Sequence, residues 1–461
     1  MNLKNIHNIY LLGIGGIGMS ALAKYFKMLG CNVEGYDRTQ TPLCIELEQS
    51  GIKIHYVDDT LLISSAFKEV SNKENILIIC TPAIPKDSAE LNWFINKGFT
   101  IKKRAEVLGE ITRTSSTIAV AGTHGKTTIS TCIAHIYTHS GVGCNAFLGG
   151  ISKNYETNFL HKENCNTVVV EADEYDRSFL QLSPSSAIIT SVDADHLDIY
   201  GSFEKVNEAF SDFTKCIKSD GKLLYKKESC FIPPSINAEV ATYSVKEKAD
   251  CSISNVTLSN GLFTFKLKTP WGNIDNITPG ITGMFNIENV VAAASMCLWE
   301  GLTPESIKEA LATFTGVKRR FDIQVSNARN IYIDDYAHHP EELKAFISSV
   351  KEVYPDKKIT GVFQPHLFSR TRDFADAFGV SLSLLDELYL LEIYPAREKP
   401  IEGITSKTIF DKVNISHKYL NTIDELFQKI KINKPELLLT MGAGDIDQYI
   451  EPIKKIILRC L

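Results

Sequence analysis

The chain has 461 residues, 44% of them hydrophobic and 23% charged, so it can bury the cores of about three domains. Its formal net charge of −6 argues against a broad face for nucleic acid or anionic membrane, although a local basic pocket for an anionic metabolite stays compatible. The 11 cysteines include no C-x-x-C pair, and no apolar run approaches the roughly 18 residues of a membrane span, so we expect a reduced, cytoplasmic protein without a disulfide framework.

The N-terminal part of the chain alternates apolar runs with helical patterns. Strands are predicted at residues 8–12, 32–36, 76–80 and 100–102, with a helix at 20–29. Such alternation is typical of a parallel, doubly wound sheet. We expect this first domain to cover residues 1–113.

A glycine-rich loop follows the first predicted strand. Gly13, Gly15 and Gly18 satisfy G-x-G-x-x-G, and Asp37 follows the next strand. On its own this pattern favours a nicotinamide-dependent dehydrogenase. The loop suits any pyrophosphate, however, so a diphosphate-linked sugar is the alternative ligand. Asp37 would then contact a sugar or base, or would be only a turn residue at the strand end.

The second predicted domain, residues 114–320, opens with another phosphate loop. An apolar run at 117–120 leads into Gly-Thr-His-Gly-Lys-Thr-Thr at 122–128, and a helix is predicted at 129–137. Backbone N–H groups and a helix N-terminus at one point suit the phosphates of ATP. Val120 occupies the first glycine position of G-x-x-x-x-G-K-[ST], so Gly122 must make the turn. Lys126 would reach the outer phosphates, and the Thr127 hydroxyl would bind Mg²⁺.

Acidic residues follow two further strands of this domain, predicted at 167–170 and 187–190. Glu171 would hold Mg²⁺, with a solvated acidic turn as the alternative. His196 lies among three aspartates and is either a second metal ligand or a structural histidine.

The remainder of the second domain combines strands and helices. A small antiparallel excursion is predicted within residues 220–280, followed by helices at 289–299 and 304–313. Asn286 or Asn289 could bond adenine, or Asn286 could cap the helix. Arg319 could meet a phosphate, or it belongs to a solvated basic pair.

The third predicted domain, residues 321–461, again alternates strands and helices, with strands at 331–333, 359–363, 387–391 and 437–440. Polar clusters follow three of these strands, at 334–340, 364–371 and 442–445. Ligands of open parallel sheets bind at the carboxyl ends of strands, which makes these clusters candidate binding groups. Arg370 suits a carboxylate.

These motifs, in this order, resemble the Mur ligase family of bacterial cell-wall synthesis over essentially the full length. The resemblance implies an α/β protein with a Rossmann-like UDP-binding domain, a central P-loop ATPase domain with a parallel sheet, and a C-terminal Rossmann-like domain. It also implies ATP-dependent amide formation. ATP would phosphorylate the lactyl carboxylate of UDP-N-acetylmuramate, and the amine of L-alanine would attack the acyl phosphate.

The resemblance also implies roles for individual residues. Catalytic roles are implied for Lys126, Glu171, His196, His338 and Arg370. Nucleotide contacts are implied for Gly122, Thr123, His124, Gly125, Lys126, Thr127, Thr128, Asn289, Arg319 and Asp335. Substrate contacts are implied for Gly15, Gly16, Ile17, Gly18, Asp37, Arg104, Glu174, Tyr336 and Arg370, and Mg²⁺ ligands for Thr127, Glu171 and His196. The acceptor of the amine proton stays open between His196 and His338.

The sequence departs from the family pattern at two positions. Phe285 replaces the usual histidine, which turns an adenine hydrogen bond into packing or stacking, and Arg397 replaces a usual glycine. The rival functions are a recycling ligase that joins an intact peptide to the same UDP-sugar, a nicotinamide oxidoreductase, and a nucleotide-binding module without ligase chemistry. We expect no nucleic-acid or membrane partner, and a monomer or weak homodimer.

Overall fold

The computed structural model describes residues 3–68, 73–193, 197–396 and 398–459. The strands are β1 (Asn8–Leu12), β2 (Asn32–Tyr36), β3 (Lys53–His55), β4 (Ile76–Cys80), β5 (Ile101–Lys103), β6 (Ser116–Ala121), β7 (Asn145–Ser152), β8 (Thr157–Leu160), β9 (Thr167–Glu171), β10 (Ser186–Ile189), β11 (Gly221–Lys226), β12 (Ala238–Ser244), β13 (Cys251–Ser259), β14 (Leu262–Thr269), β15 (Gly272–Ile277), β16 (Asp322–Ser326), β17 (Ile331–Asp335), β18 (Ile359–Phe363), β19 (Glu387–Leu390), β20 (Lys418–Leu420) and β21 (Leu437–Met441).

The α-helices are α1 (Ile17–Met28), α2 (Pro42–Gln49), α3 (Ser65–Lys68), α4 (Ala89–Asn96), α5 (Arg104–Arg113), α6 (Lys126–His139), α7 (Leu197–Tyr200), α8 (Phe203–Lys215), α9 (Met284–Trp299), α10 (Pro304–Thr313), α11 (Pro340–Val353), α12 (Phe368–Asp373), α13 (Ala375–Leu382), α14 (Ser406–Phe410), α15 (Ile423–Asn433) and α16 (Ile450–Arg459). The described strands form three sheets, and the predicted α/β class with three domains is confirmed. No helix within the described ranges is long and apolar enough to cross a membrane.

The first sheet has the strand order β3-β2-β1-β4-β5, and all its pairs are parallel. The central strands β1 and β4 are apolar runs that helices bury on both faces, as parallel sheets require. The strand β3 was not predicted, because it has only three residues, Lys-Ile-His, and lies at the sheet edge.

The second sheet has ten strands in the order β15-β14-β13-β12-β11-β10-β6-β9-β7-β8. Its central pairs are parallel, so β6, β9 and β10 all end at the same edge. The predicted antiparallel excursion is confirmed for β14 and β15, while β11 pairs with β12 and β12 with β13 in parallel. Beside β15, the ring of Trp271 stacks on Trp299 of α9, with 4.1 Å between ring centroids.

The third sheet has the order β16-β17-β21-β18-β19-β20, and only the edge pair of β16 and β17 is antiparallel. The strand β17 extends two residues beyond its predicted end. Asp334 and Asp335 therefore pair with β21 as strand residues rather than opening a loop. A strand can hold both carboxylates because each one finds internal hydrogen-bond donors.

Contacts divide the chain into two compact units. The first comprises Met1–Asn255, Phe265–Ile277 and Glu288–Phe314, and the second comprises Val256–Thr264, Thr278–Ile287 and Thr315–Leu461. Inside the first unit, α1 packs on the hairpin of β7 and β8. There the ring of Tyr25 lies 5.4 Å from Phe147 and 6.1 Å from Phe159. The domain boundaries after residues 113 and 320 stay predictions.

Candidate active site

The phosphate loop joins the end of β6 to the start of α6. Gly122 has φ 127° and Gly125 has φ 82°, values that favour glycine. A Cβ on Gly122 would lie 1.9 Å from Thr190 Oγ1, and one on Gly125 would lie 2.4 Å from Asn289 Oδ1. Both positions therefore exclude side chains. Val120 lies inside β6, so Gly122 makes the turn and α6 presents its N-terminus beside the loop.

The side chains of Thr123 and His124 hold this loop to the segment after β10. The Asp193 N–H donates to Thr123 Oγ1 at 2.9 Å, and the Thr123 N–H donates to Ser191 O at 2.7 Å. His124 Nε2 lies 3.3 Å from Asp193 Oδ2. The hydrogen bond from His124 holds the pKa of Asp193 below its ordinary value. The loop conformation is thus fixed from outside the loop.

Lys126 lies at the start of α6, with its side chain 13% exposed, and pairs with Glu174. Its Nζ lies 2.9 and 2.8 Å from the two carboxylate oxygens and 2.7 Å from Gly122 O. Burial lowers the pKa of Lys126, but the charges of Glu174, Asp173 and Glu171 outweigh it and raise that pKa to about 12. The ammonium is therefore charged at neutral pH and lies against the phosphate loop.

Thr127 and Glu171 meet at the same strand edge. Thr127 Oγ1 donates to Glu171 Oε2 at 2.8 Å, and a Cβ on Gly149 would lie 1.9 Å from that carboxylate oxygen. Hydroxyl and carboxylate oxygens are ligands that Mg²⁺ prefers, so the pair fits the ion. His196, the third predicted ligand, lies outside the described residues. In the described part of the chain, no three His, Cys, Asp or Glu side chains cluster as a metal site.

Thr128, predicted to contact the nucleotide, is 6% exposed one position further along α6. Asn289 is 8% exposed and lies beside Gly125, next to the loop, and its contact with adenine stays a prediction. Asn286 does not cap α9, because that helix already begins at Met284 and the Asn286 amide donates to Thr282 O at 2.9 Å.

The first glycine loop is held by Asp37 and covered by Arg104. Asp37 accepts hydrogen bonds from the backbone N–H groups of Gly15 at 2.8 Å and Thr39 at 3.1 Å, so its carboxylate stabilises the loop itself. A Cβ on Gly18 would lie 2.7 Å from an Arg104 guanidinium nitrogen. That guanidinium also lies 4.0 Å from Asp173. Arg104 thus places a cation directly beside the loop, where Gly16 is exposed and Ile17 half-buried.

In the second unit, Arg319 and Asp335 bind parts of their own sheet. Arg319 Nε donates to Asp334 Oδ2 at 3.1 Å, and its Nη2 donates to Gly442 O at 2.6 Å. Asp335 accepts backbone N–H groups at both oxygens, at 2.7 and 2.8 Å. Burial raises the pKa of Asp335 to about 7 despite these bonds and the charge of Arg320. The guanidinium groups of Arg319 and Arg320 both lie over the ring of Tyr336, each 5.2 Å from the ring centroid.

His338 follows Tyr336 and has a defined tautomer. Its Nδ1 lies 2.9 Å from Tyr336 O, and since a carbonyl only accepts, Nδ1 carries the proton and Nε2 the lone pair. Burial lowers the pKa of His338, and the charges of Arg370 and Arg320 lower it further, against the opposing effect of Glu342. A neutral imidazole with an open lone pair can accept a proton. Arg370 lies half-buried in α12.

Three family models match the chain in succession. The Mur ligase family catalytic domain matches residues 8–116, the Mur ligase middle domain residues 120–297, and the Mur ligase glutamate ligase domain residues 319–444. The chain belongs to the Mur ligase family.

Relatives match this Mur ligase over nearly its whole length. A UDP-N-acetylmuramate–L-alanine ligase of Parabacteroides distasonis is 48% identical over 99% of this chain and 98% of its own. Proteins of the same name from Cytophaga hutchinsonii and Flavobacterium psychrophilum are 46% and 47% identical, over 98% and 99% of this chain and 97% and 99% of their own.

Among solved structures, the UDP-N-acetylmuramate–alanine ligase of Thermotoga maritima superposes on this Mur ligase with a TM-score of 0.80, at 26% identity and 98% coverage of both chains. A murein peptide ligase of Psychrobacter arcticus gives a TM-score of 0.66 at 20% identity, again over 98% of both chains, which supports the fold alone.

Sequence reasoning missed two supports of the site, Gly149 and Thr190. Gly149 lies in β7, where the Gly-Gly pair at 149–150 was a signal for close approach of another group. Thr190 directly follows the last residue of β10, and its hydroxyl donates to His124 O at 2.6 Å. A threonine at a strand end carries no such signal.

Proposed function

We propose that this Mur ligase joins L-alanine to the lactyl carboxylate of UDP-N-acetylmuramate while converting ATP to ADP and phosphate. The observation that carries the proposal is the match, at 48% identity over 99% of the chain, to a ligase of that name. The charged Lys126 beside the phosphate loop supports it, because phosphoryl transfer needs a charge at that place.

The reaction has two steps. A carboxylate oxygen of the UDP-sugar forms a bond to the γ-phosphorus of ATP while the bond to ADP breaks. The amine of L-alanine then attacks the acyl carbon, phosphate leaves, and the amine loses a proton. The protein contributes mainly positioning and charge neutralisation. Lys126 would neutralise the transferring phosphoryl group, and the loop N–H groups would hold the neighbouring phosphates.

Mg²⁺ would be held by Thr127 and Glu171, whose oxygens lie 2.8 Å apart, with His196 as the third predicted ligand. When bound, the ion would neutralise phosphate charge. Two residues next to this pair shape the site whether or not the ion is bound. Gly149 leaves room for the Glu171 carboxylate, and Asn289 lies against the turn at Gly125.

The UDP-sugar would bind at the first glycine loop, with Arg104 as a cation for its diphosphate. Asp37 would act through the loop, since its carboxylate binds the Gly15 N–H. His338 is suited to take the amine proton at Nε2, and Arg370 to hold a carboxylate. The contacts of Arg319, Asp335 and Tyr336 with ligands stay predictions.

We also infer a cytoplasmic enzyme, which the free cysteines of the described chain support. A monomer or weak homodimer without nucleic-acid or membrane partners stays a prediction.

The proposal is tested by phosphate release from ATP in the presence of Mg²⁺ and UDP-N-acetylmuramate. The acceptor is L-alanine, glycine, L-serine, the recycled tripeptide or none, and the product is identified by mass. We expect strong stimulation by L-alanine with formation of the amide. Stimulation by the tripeptide alone would move the protein to the recycling ligases, and no release with any acceptor would refute ligase activity.

A further inference from the structure

The first turn of α1 is bonded to a strand of the neighbouring sheet. Asn158, in β8 of the ten-stranded sheet, donates from Nδ2 to Ile17 O at 2.6 Å and to Ser20 Oγ at 2.9 Å. Asn158 and Ser20 are both 0% exposed. A fully buried amide with two donor contacts has a defined orientation, so β8 fixes where this turn lies.

Lys24, one turn further along α1, binds the other end of the same amide. Its Nζ donates to Asn158 Oδ1 and to Thr157 Oγ1, both at 2.9 Å, and pairs with Glu46 of α2 at 2.6 Å. Because an ammonium only donates, this contact assigns the oxygen of Asn158 to Lys24 and its nitrogen to Ile17. The amide thus holds two successive turns of α1.

This contact matters because α1 begins inside the first glycine loop. Gly16 precedes the helix and provides no side-chain cap, so contacts from other elements contribute to the position of the first turn. The attraction between an anion and a helix N-terminus acts over about one turn. A displacement of the turn at Ile17 therefore changes how the loop N–H groups meet a pyrophosphate.

We propose that Asn158 is a positioning residue for the UDP-N-acetylmuramate site, supplied by the sheet that carries the phosphate loop. The inference rests on the function proposed above. Asn158 contacts the loop at the Ile17 carbonyl, on the side of α1 that faces the ten-stranded sheet. Its effect on substrate binding is therefore indirect. The UDP-sugar site of the first sheet is accordingly complete only with the hairpin of β7 and β8.

The test compares binding of two ligands to the full-length protein by calorimetry. Asn158→Ala removes the bonds to Ile17 and Lys24, and we expect UDP-N-acetylmuramate to bind roughly tenfold more weakly, as loss of about one net buried hydrogen bond predicts. Asn158→Asp keeps an acceptor for Lys24 but cannot donate to Ile17, so it should weaken binding at least as much. A nonhydrolysable ATP analogue should bind both variants within about twofold of wild type. Steady-state kinetics should show a raised KM for the UDP-sugar alone.

Asn154→Ala is the matched control, because Asn154 lies in the turn of the hairpin that carries Asn158 and donates to Thr313 O at 2.8 Å, away from the glycine loop. It should leave both affinities unchanged. Equal losses for both ligands in Asn158→Ala, or an unchanged affinity for the UDP-sugar, would overturn the positioning role.

If Asn158→Ala does not fold, Lys24→Met tests the same contact from a side chain that is 13% exposed. Its affinity for the UDP-sugar should fall about threefold, and an unchanged value would overturn the inference. A wild-type protein that does not bind the UDP-sugar at all would instead refute the proposed function.

Discussion

Replacing Lys126 with methionine should separate its catalytic role from its role in the fold. The substitution leaves the Glu174 carboxylate, 4% exposed, without the ammonium that lies 2.8 and 2.9 Å from its oxygens. Breaking a buried ion pair from one side costs about 3–5 kcal/mol. Protonation limits that cost, since protonating a glutamate at pH 7 against an ordinary pKa of about 4.3 takes about 3.7 kcal/mol.

We therefore expect Lys126→Met to lower the free energy of unfolding by about 3–4 kcal/mol at pH 7. The loss should shrink by about 1.4 kcal/mol for each pH unit below 7, because protonating the carboxylate costs less free energy at lower pH. Adding Glu174→Gln removes the buried charge and should restore most of the stability. Turnover should be absent in both variants.

The assay is urea unfolding followed by circular dichroism at pH 6 and pH 7, with phosphate release measured in parallel. Lys407→Met is the control, since the pair of Lys407 with Asp411 is exposed and should contribute little. If neither the lower pH nor the added Glu174→Gln substitution reduces the loss in free energy of unfolding, a buried charge is not its cause. Near-normal turnover would refute the role of Lys126 at the phosphate loop.

Three further predictions concern single positions. Gly149→Ala should displace the Glu171 carboxylate, because the new Cβ would lie 1.9 Å from it, and should raise the Mg²⁺ concentration needed for half-maximal activity about tenfold, measured by titration with the metal. Arg104→Ala should raise the KM for UDP-N-acetylmuramate about tenfold or more with ATP binding intact, and an unchanged KM would remove it from the site. His338→Gln should abolish the acidic limb of the kcat profile below pH 6.5, since the pKa of His338 is lowered by burial, and a retained limb would assign the proton to another group.

The sequence predicted what depends on local pattern. Apolar runs located the central strands of all three sheets, and the two glycine loops were placed correctly between strand and helix. The turn at Gly122 also followed from sequence, because Val120 cannot adopt a positive φ cheaply. These features depend on a few neighbouring residues, so a short stretch of chain determines them.

The sequence did not predict which polar groups form hydrogen bonds with each other when they are far apart along the chain. Asp37 and Asp335 were expected to contact ligands, and the structure shows their oxygens bound to backbone N–H groups of the chain. The hairpin that carries Asn158 was not predicted, because residues 145–160 mix small, polar and aromatic residues without a clear period. A carboxylate or amide shows its chemistry in the sequence, while its partner is set by the tertiary fold.

The stacked indoles in the first unit provide an intrinsic spectroscopic probe of unfolding. The chain has three tryptophans, and all of them, Trp93, Trp271 and Trp299, belong to the first compact unit. The rings of Trp271 and Trp299 stack with 4.1 Å between their centroids, which couples two of these chromophores. When the two rings move apart, the tryptophan emission and the near-ultraviolet dichroism change. Tryptophan fluorescence therefore follows unfolding of the first unit and does not register the second. A difference between fluorescence and far-ultraviolet transitions would show that the two units unfold independently.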